Sequence, residues 1–220
     1  MTYQHRMADG SALELPVGKV VCVGRNYAEH ARELNNEVPS EPLLFMKPAT
    51  ALVPMEEPFG LPQGRGQVHY ETEIAVLIGE PLSRVDEQSA QQGIAGIGVA
   101  LDLTLREVQS TLKAKGHPWE KAKAFDGSCP LSTFLTPATV GDLTDVNIRL
   151  SINGEVRQEG NSRQMITPIL QLISHISDWF SLQPGDVVLT GTPAGVGELK
   201  SGDRLRVEIV DLLRVDTGVE

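Results

Sequence analysis

Two glutamates separated by one residue, in the segment 69–78 (HYETEIAVLI), have types and spacing that suit metal chemistry. The composition predicts one strand over 68–78, and side chains on a strand point to opposite faces in turn. Glu71 and Glu73 would then share one face, with Cα atoms roughly 6.5–7 Å apart, opposite Tyr70 and Ile74. Adjacent carboxylates raise each other's pKa unless a cation lies between them. Oxygen ligands of this kind favour Mg²⁺, Mn²⁺ or Ca²⁺ over zinc.

A third carboxylate, Asp102, lies near the end of the strand-like segment 96–103 (GIGVALDL). Its face of the strand carries small residues, and an acid in apolar surroundings needs a partner. A cation shared with Glu71 and Glu73 would supply one. Two other interpretations stay open: the glutamates could lie on a solvent-facing strand, and Asp102 could cap the helix predicted over 104–115.

The elements that must position these residues are mostly strands. Asn153-Gly154 is a strong hairpin signal, and the segment 167–180 has the best amphipathic pattern for a helix. Asn26 is a plausible N-cap for a helix over 27–34, and a polar loop follows at 35–42. Further strands are predicted over 19–24, 43–46, 147–152, 155–158 and 187–190, with one bent strand or a pair over 205–213. Since strands outnumber helices without alternating with them, we expect an α+β, mostly β roll rather than a doubly wound fold.

Composition excludes several function classes. The chain has 220 residues and a formal net charge of −10, which disfavours binding to nucleic acids or anionic membranes. No apolar run approaches the roughly 18 residues of a membrane span, and the N-terminus carries no signal pattern. The two cysteines, Cys22 and Cys129, show no metal-binding spacing and fit buried thiols in a reducing compartment. We therefore expect a soluble cytoplasmic protein without a nucleic-acid or membrane partner.

A family resemblance rests on six motifs that occur in order along the chain. They are VCVGRNYAEHARE, EPLLFMKPATALV, HYETEIAVLIG, GVALDLTLREVQ, WEKAKAFDGSCPLS and VVLTGTPAGVG. Together they resemble the fumarylacetoacetate hydrolase family, and most closely its short acylpyruvase and oxaloacetate decarboxylase-like members. The resemblance implies a mixed β-sandwich roll over residues 19–220, preceded by a short extension at 1–18. It also implies a bound Mg²⁺ or Mn²⁺ and a homodimer.

The resemblance assigns roles to individual residues. It places the metal ligands at Glu71, Glu73 and Asp102, and a catalytic pair at His30 and Glu33. Positions three apart share a helix face, so Glu33 can fix the tautomer of the imidazole, although an isolated pair of this spacing is usually a surface ion pair. The polar loop that follows is expected to act as a lid. The remaining assignments are a catalytic lysine at Lys123 and substrate contacts at Arg25, Arg106, Gln109, Thr192 and Lys47.

These parts predict an enzyme that acts on a small 2-oxo acid. The expected reaction is hydrolysis of a C–C bond in an acylpyruvate, giving pyruvate and a carboxylic acid through a metal-stabilised enolate. Two alternatives on the same site are oxaloacetate decarboxylation and keto–enol tautomerisation. A protein that binds 2-oxo acids without turning them over is an alternative of a different class. A glycosidase is disfavoured, because aromatic residues are only 5% of the chain and the glutamates cannot face each other across a sugar.

Overall fold

The structure is a computed structural model and describes residues 3–34 and 36–220. Fourteen strands lie in these residues: β1 Val20–Gly24, β2 Leu43–Lys47, β3 Leu52–Pro54, β4 Val68–Tyr70, β5 Thr72–Ile78, β6 Ile94–Leu101, β7 Thr104–Leu105, β8 Cys129–Leu131, β9 Asn147–Ile152, β10 Glu155–Asn161, β11 Val187–Leu189, β12 Gly197–Glu198, β13 Arg204–Ile209 and β14 Leu213–Gly218. The helices there are α1 Ala28–Glu33, α2 Glu87–Gln92, α3 Arg106–Ala114, α4 Glu120–Lys123, α5 Pro137–Val140 and α6 Ile169–Trp179. None of them is long and apolar enough to cross a membrane.

The strands form three sheets, which confirms the mostly β, α+β prediction. The largest is mixed and has the order β2-β1-β11-β5-β6-β8-β3, with parallel pairing only between β1 and β11 and between β3 and β8. The second is an antiparallel sheet, β10-β9-β13-β14, whose first hairpin turns at Asn153 and Gly154 with positive φ at both residues, as the Asn-Gly signal predicts. The third is small, with the order β12-β4-β7.

The large sheet is buried on both faces. One face packs against α6 and the inward side of the four-stranded sheet, and Ile74, Val76 and Ile78 of β5 belong to this core. The opposite face, which includes Ala75 and Leu77, packs against a second apolar cluster that contacts the N-terminal segment 3–17. All seven residues of β5, which include Glu73, are buried as a result, and Glu71 is buried as well. The interpretation of Glu71 and Glu73 as residues of a solvent-facing strand is therefore wrong.

Several predicted boundaries need correction. The segment 68–78 is two strands, because the chain changes sheets at Glu71. Asn26 does not cap α1: its side-chain amide donates to the carbonyls of Thr167 and Thr190 and accepts from the Thr167 amide. It joins the start of α1 to two distant segments instead. The short helix α4 lies in a segment for which the sequence predicts neither a helix nor a strand. Residues 36–42 precede β2 without helix or strand, and Asn35 lies outside the described residues.

Candidate active site

Two neighbouring strands leave the large sheet at the same point, and each carries a carboxylate there. Glu71 separates β4 from β5, and Asp102 and Leu103 separate β6 from β7. β5 pairs with β6 in the large sheet, whereas β4 pairs with β7 in the small one. The Asp102 amide donates to the Glu71 carbonyl over 2.8 Å, which joins the two junctions. The two junctions at Glu71 and Asp102 together form a corner between the sheets. This corner fixes both side chains through backbone geometry rather than through a flexible loop.

The three predicted metal ligands lie together at this corner. Glu71, Glu73 and Asp102 each offer an oxygen, and these oxygens lie within 4.8 Å of one another. Glu73 is paired across the sheet with Ala100, a residue small enough to leave room on that face. All three carboxylates are buried. Asp102 does not cap α3, whose N-cap residue is Leu105, so the capping interpretation is wrong.

Three cations surround two of these carboxylates. Lys123, at the end of α4, donates to Glu71 Oε2 over 2.7 Å and to Asp102 Oδ2 over 2.6 Å. Arg106 pairs with Glu71 from the start of α3. Lys47 Nζ lies 2.8 Å from Asp102 Oδ1. Glu73, in contrast, accepts a hydrogen bond only from the Gly191 amide, over 2.6 Å, within the described chain.

This arrangement separates the pKa values of the two glutamates. Burial alone would raise the pKa of Glu71, but the charges of Lys123 and Arg106 hold it below its ordinary value. Burial raises the pKa of Glu73 well above its ordinary value, and the nearby charges of Asp102 and Glu71 raise it further. Burial would lower the pKa of Lys123, but Asp102 and Glu71 raise it, so this lysine is a cation. Glu73 is the carboxyl that most needs an additional positive charge.

The donor set fits a hard divalent cation. Asp102 Oδ1 is buried without a hydrogen-bond partner, because the approach of Lys47 does not have hydrogen-bond geometry. Repulsion by the two neighbouring carboxylates opposes the ionisation of Glu73, and a bound cation would offset this repulsion. Three carboxylates without cysteine or histidine suit Mg²⁺ or Mn²⁺ and are a poor match for zinc. Glu71, Glu73 and Asp102 are therefore the residues that could hold the metal.

The predicted pair His30 and Glu33 lies on α1. His30 is buried and lines the same cavity as the carboxylates. Its Nδ1 is 3.5 Å from Glu33 Oε2, too far for a well-formed hydrogen bond. Both Glu33 oxygens accept from the Gly195 amide at 3.1 Å, so the carboxylate is anchored. Burial lowers the pKa of His30. The charge of Glu71 raises this pKa, and the charge of Arg106 lowers it further. The imidazole is therefore neutral, as a general base must be.

The cavity above the cluster encloses about 420 Å³, its open mouth included. Gln109 shares a face of α3 with Arg106 and accepts a hydrogen bond from it over 2.7 Å, as their spacing predicts. The cavity is lined by the predicted residues Arg25, His30, Glu71, Glu73, Asp102, Arg106, Gln109, Lys123 and Thr192, together with Val23, Gly24, Leu34, Asn36, Phe45, Lys113 and Trp119. Its mixed polar and apolar lining suits a small polar ligand.

Two predicted residues lie behind the cavity wall instead of on it. Lys47 is completely buried, and it donates to the Ser128 carbonyl over 3.0 Å and to the Lys123 carbonyl. Its ammonium group therefore supports Asp102 and the backbone at Lys123, and the structure does not bring it to a position for a substrate contact. Glu33 does not line the cavity, and its carboxylate lies beside His30, which does.

The glycine-rich segment after β11 binds carboxylates of the protein itself. The Gly191 amide donates to Glu73, and the Gly195 amide donates to Glu33. Gly191 has φ +96, and a Cβ there would lie 2.7 Å from Asn26 Cβ, so a glycine is required. The segment therefore orients both Glu73, a candidate metal ligand, and Glu33, a candidate catalytic residue.

Sequence reasoning missed Gln158, a buried residue of β10. Its amide donates to Thr192 Oγ1 over 2.8 Å and to the Pro193 carbonyl over 2.9 Å, while its oxygen accepts from the Thr72 amide. Gln158 thus ties the Thr192 hydroxyl to the strand that carries Glu73. The only signal in the sequence is its position within a hairpin strand, where an inward-facing glutamine is indistinguishable from a solvated one.

The fold and this site define the class of protein. The model of the fumarylacetoacetate hydrolase C-terminal family matches residues 19–220, and the chain belongs to this family. It is 54% identical over 206 residues to an oxaloacetate tautomerase from Escherichia coli (strain K12), covering 93% of this chain and 94% of the relative.

Solved structures agree with this assignment. A fumarylacetoacetate hydrolase family protein from Yersinia pestis CO92 superposes with a TM-score of 0.97 at 53% identity, over 99% of this chain and 100% of the other. A fumarylpyruvate hydrolase from Pseudomonas aeruginosa, in complex with Mn²⁺ and pyruvate, gives a TM-score of 0.92 at 36% identity, over 99% and 95% of the two chains. The protein is thus an enzyme of a family whose members include oxaloacetate tautomerases and fumarylpyruvate hydrolases.

Proposed function

We propose that this protein is a metal-dependent oxaloacetate tautomerase, which interconverts the keto and enol forms of oxaloacetate. The observation that carries the proposal is the buried His30 on the wall of the cavity that contains the three carboxylates. The relative that is 54% identical supports oxaloacetate as the substrate. Of the expectations from the sequence, the tautomerase alternative is therefore favoured over acylpyruvate hydrolysis.

The reaction moves one proton from carbon to oxygen. The C3–H bond of the keto form breaks, its electron pair becomes the C2–C3 double bond, and the C2 oxygen gains a proton. Because Nδ1 of His30 faces Glu33, Nε2 is the nitrogen left to accept the C3 proton. The anchored Glu33 carboxylate stabilises the imidazolium that forms. A Mg²⁺ or Mn²⁺ ion bound by Glu71, Glu73 and Asp102 would supply Lewis-acid polarisation of the 2-oxo acid.

Lys123 and Arg106 stabilise the negative charge that develops on the C2 oxygen. Lys123 is held as a cation by Glu71 and Asp102, and its ammonium group lies at the cavity wall. Preorganised donors of this kind in a water-poor site stabilise an enolate without having to reorient. The Arg106 guanidinium is oriented by Glu71 and Gln109, so it is equally preorganised.

The test follows the ultraviolet absorbance of enol-oxaloacetate after dilution from a dry solvent into buffer, with pyruvate detected in parallel. With Mg²⁺, the enzyme should accelerate decay of the enol band without releasing pyruvate, and EDTA should abolish the acceleration. His30→Gln should lower the rate by about 10²–10⁴-fold. The matched control is His175→Gln, a histidine on α6 outside the cavity. Decay no faster than in enzyme-free buffer would refute the proposal.

A second candidate is hydrolysis of an acylpyruvate such as fumarylpyruvate. The similarity to a fumarylpyruvate hydrolase with Mn²⁺ and pyruvate bound supports it, and His30 could equally activate an attacking water. Metal-dependent release of pyruvate from acetylpyruvate or fumarylpyruvate, faster than enol decay of oxaloacetate, would favour this reaction. Pyruvate release from oxaloacetate would instead indicate a decarboxylase, and binding of either acid without turnover would indicate a binding protein.

We also propose a homodimer, on the basis of the family. Several large apolar side chains are exposed on the single chain, among them Trp179 at 68% and Val156 at 55%. Sedimentation velocity should give a mass of about twice 23.8 kDa. A monomer at micromolar concentration would contradict this.

A further inference from the structure

The mouth of the cavity carries two cations without acidic partners. Lys113, near the end of α3, and Arg25, after β1, both line the cavity. Neither forms an ion pair with any carboxylate in residues 3–34 and 36–220. Lys113 donates to Asn36 Oδ1 over 2.7 Å, and Arg25 donates to the Glu37 carbonyl over 3.3 Å. Their hydrogen-bond partners within the described residues are neutral oxygens of the loop that follows α1.

The inner part of the same cavity differs from its mouth. There Lys123 and Arg106 each lie against Glu71 or Asp102, and Lys47 pairs with Asp102 from behind the cavity wall. Neither Lys113 nor Arg25 forms an ion pair with Glu71, Glu73 or Asp102. Partial burial lowers the pKa of Lys113, and repulsion by Arg25 and Arg106 lowers it further. An anion between these side chains would remove this repulsion, in a chain whose net charge is −10.

We propose that Lys113 is a specificity-determining residue that, with Arg25, binds the second carboxylate of a dicarboxylate substrate. The proposal deepens the proposed function and rests on it for the identity of the reaction. The 2-oxo acid end lies inward, against the carboxylate cluster and His30, and the second carboxylate points outward to the mouth. This orientation selects 2-oxo dicarboxylates over the corresponding monocarboxylates.

Binding of two unreactive 2-hydroxy acids, malate and lactate, tests the proposal. They share the 2-hydroxy acid end and differ in the second carboxylate. Calorimetry on the Mg²⁺-loaded enzyme should show tighter binding of malate than of lactate. Lys113→Met should weaken malate binding by about 10- to 100-fold, the value of a hydrogen bond between charged groups, and change lactate binding by less than about twofold. Lys113→Arg should restore most of the malate affinity.

Two further variants separate charge recognition from other roles of the lysine. Lys115→Met removes an exposed lysine two positions along, outside the cavity, and should leave both affinities unchanged. Asn36→Ala removes the hydrogen-bond acceptor of Lys113 but keeps its charge, so malate should still bind more tightly than lactate. If Asn36→Ala reproduces the loss seen in Lys113→Met, the lysine acts by holding the loop and the proposal is overturned. Equal weakening of malate and lactate by Lys113→Met would also overturn it.

Kinetics with oxaloacetate give a second readout. Because Lys113 does not reach the reacting atoms, Lys113→Met should raise KM by about 10- to 100-fold and change kcat by less than about twofold. A loss confined to kcat would contradict the proposal. The binding experiment does not require turnover, so its outcome is independent of whether the enzyme proves to be a tautomerase. An inactive enzyme that still discriminates malate from lactate through Lys113 would refute only the reaction.

Discussion

Two buried carboxylates of this protein, Asp186 and Glu73, have opposite surroundings. Asp186 accepts hydrogen bonds from the amides of Lys19 and Gln183 and forms an ion pair with the Lys19 ammonium group. Glu73 has one amide donor, no cationic partner in the described chain, and two neighbouring carboxylates. Both lie close to β11, so the difference reflects their partners and not their depth.

The difference separates a structural carboxylate from a functional one. The Asp186 cluster closes the turn before β11 and joins it to the start of β1, and its charge is fully compensated. The carboxylate corner holds negative charge that the protein leaves incompletely paired, which costs stability unless a cation binds. Substitutions in the first cluster should therefore change stability alone, whereas those in the second should change stability and ligand binding together.

Lys47→Met should cause the largest loss of stability. Lys47 is fully buried against Asp102, and removing one partner of a buried ion pair costs about 3–5 kcal/mol because the other charge is left uncompensated. Urea denaturation of the metal-free protein measures the loss. Lys121→Met, at an exposed lysine beside α4's buried Lys123, should change the free energy of unfolding by less than about 0.5 kcal/mol. Equal stability of the two variants would show that Lys47 does not support the corner.

Asp186→Asn should destabilise the protein by about 1–3 kcal/mol, because Lys19 loses its partner and the two amides keep only a neutral acceptor. Activity per folded molecule should be unchanged. A loss of activity without a loss of stability in this variant would contradict the assignment of Asp186 as a structural carboxylate. Asp178→Asn, on the exposed side of α6, provides the control and should affect neither.

His5 should give a smaller, pH-dependent effect in the region of Asp186. Its ring is fully buried, and Nε2 lies 3.0 Å from the Gly185 carbonyl oxygen. Burial lowers the pKa of His5, against the opposing hydrogen bonds to the Gly185 and Pro16 carbonyls. Below pH about 6.5 the unfolded chain takes up a proton that the folded protein resists, so stability falls as the pH drops through this value.

The measurement is the free energy of unfolding of wild type and His5→Gln between pH 8 and pH 5. Wild type should lose more stability than the variant over this interval. Parallel curves would show that His5 does not contribute, and a wild type that gains stability on acidification would reverse the sign of its pKa shift.

The sequence predicts the chemistry of the corner better than its geometry. Residue types and alternation are sufficient to group Glu71, Glu73 and Asp102, since a strand places alternate side chains on one face. The same alternation cannot show that the chain changes sheets at Glu71, because β4 and β5 read as one continuous strand. It also cannot distinguish a strand buried on both faces from one with a solvated face when polar residues interrupt it.

Residues that act through long-range contacts are the ones that the sequence does not reveal. Gln158 and Asn26 bind groups more than 30 positions away, so no local spacing marks them. Lys113 has the appearance of an ordinary solvated helix residue, and only the fold brings it to the cavity beside Arg25. Lys47 is recognised as part of a motif, but its place behind Asp102 depends on the packing of β2 against α4.

The most direct test of a cation site at the corner compares wild type with Glu73→Gln by thermal unfolding, with EDTA and with Mn²⁺. The amide keeps the size of the side chain and an oxygen acceptor for the Gly191 amide but removes the repelled charge. Without metal, Glu73→Gln should melt at a higher temperature than wild type. With Mn²⁺, wild type should gain stability and the variant should gain much less. A wild type that melts at the same temperature with and without Mn²⁺, and no lower than Glu73→Gln in EDTA, would contradict the account.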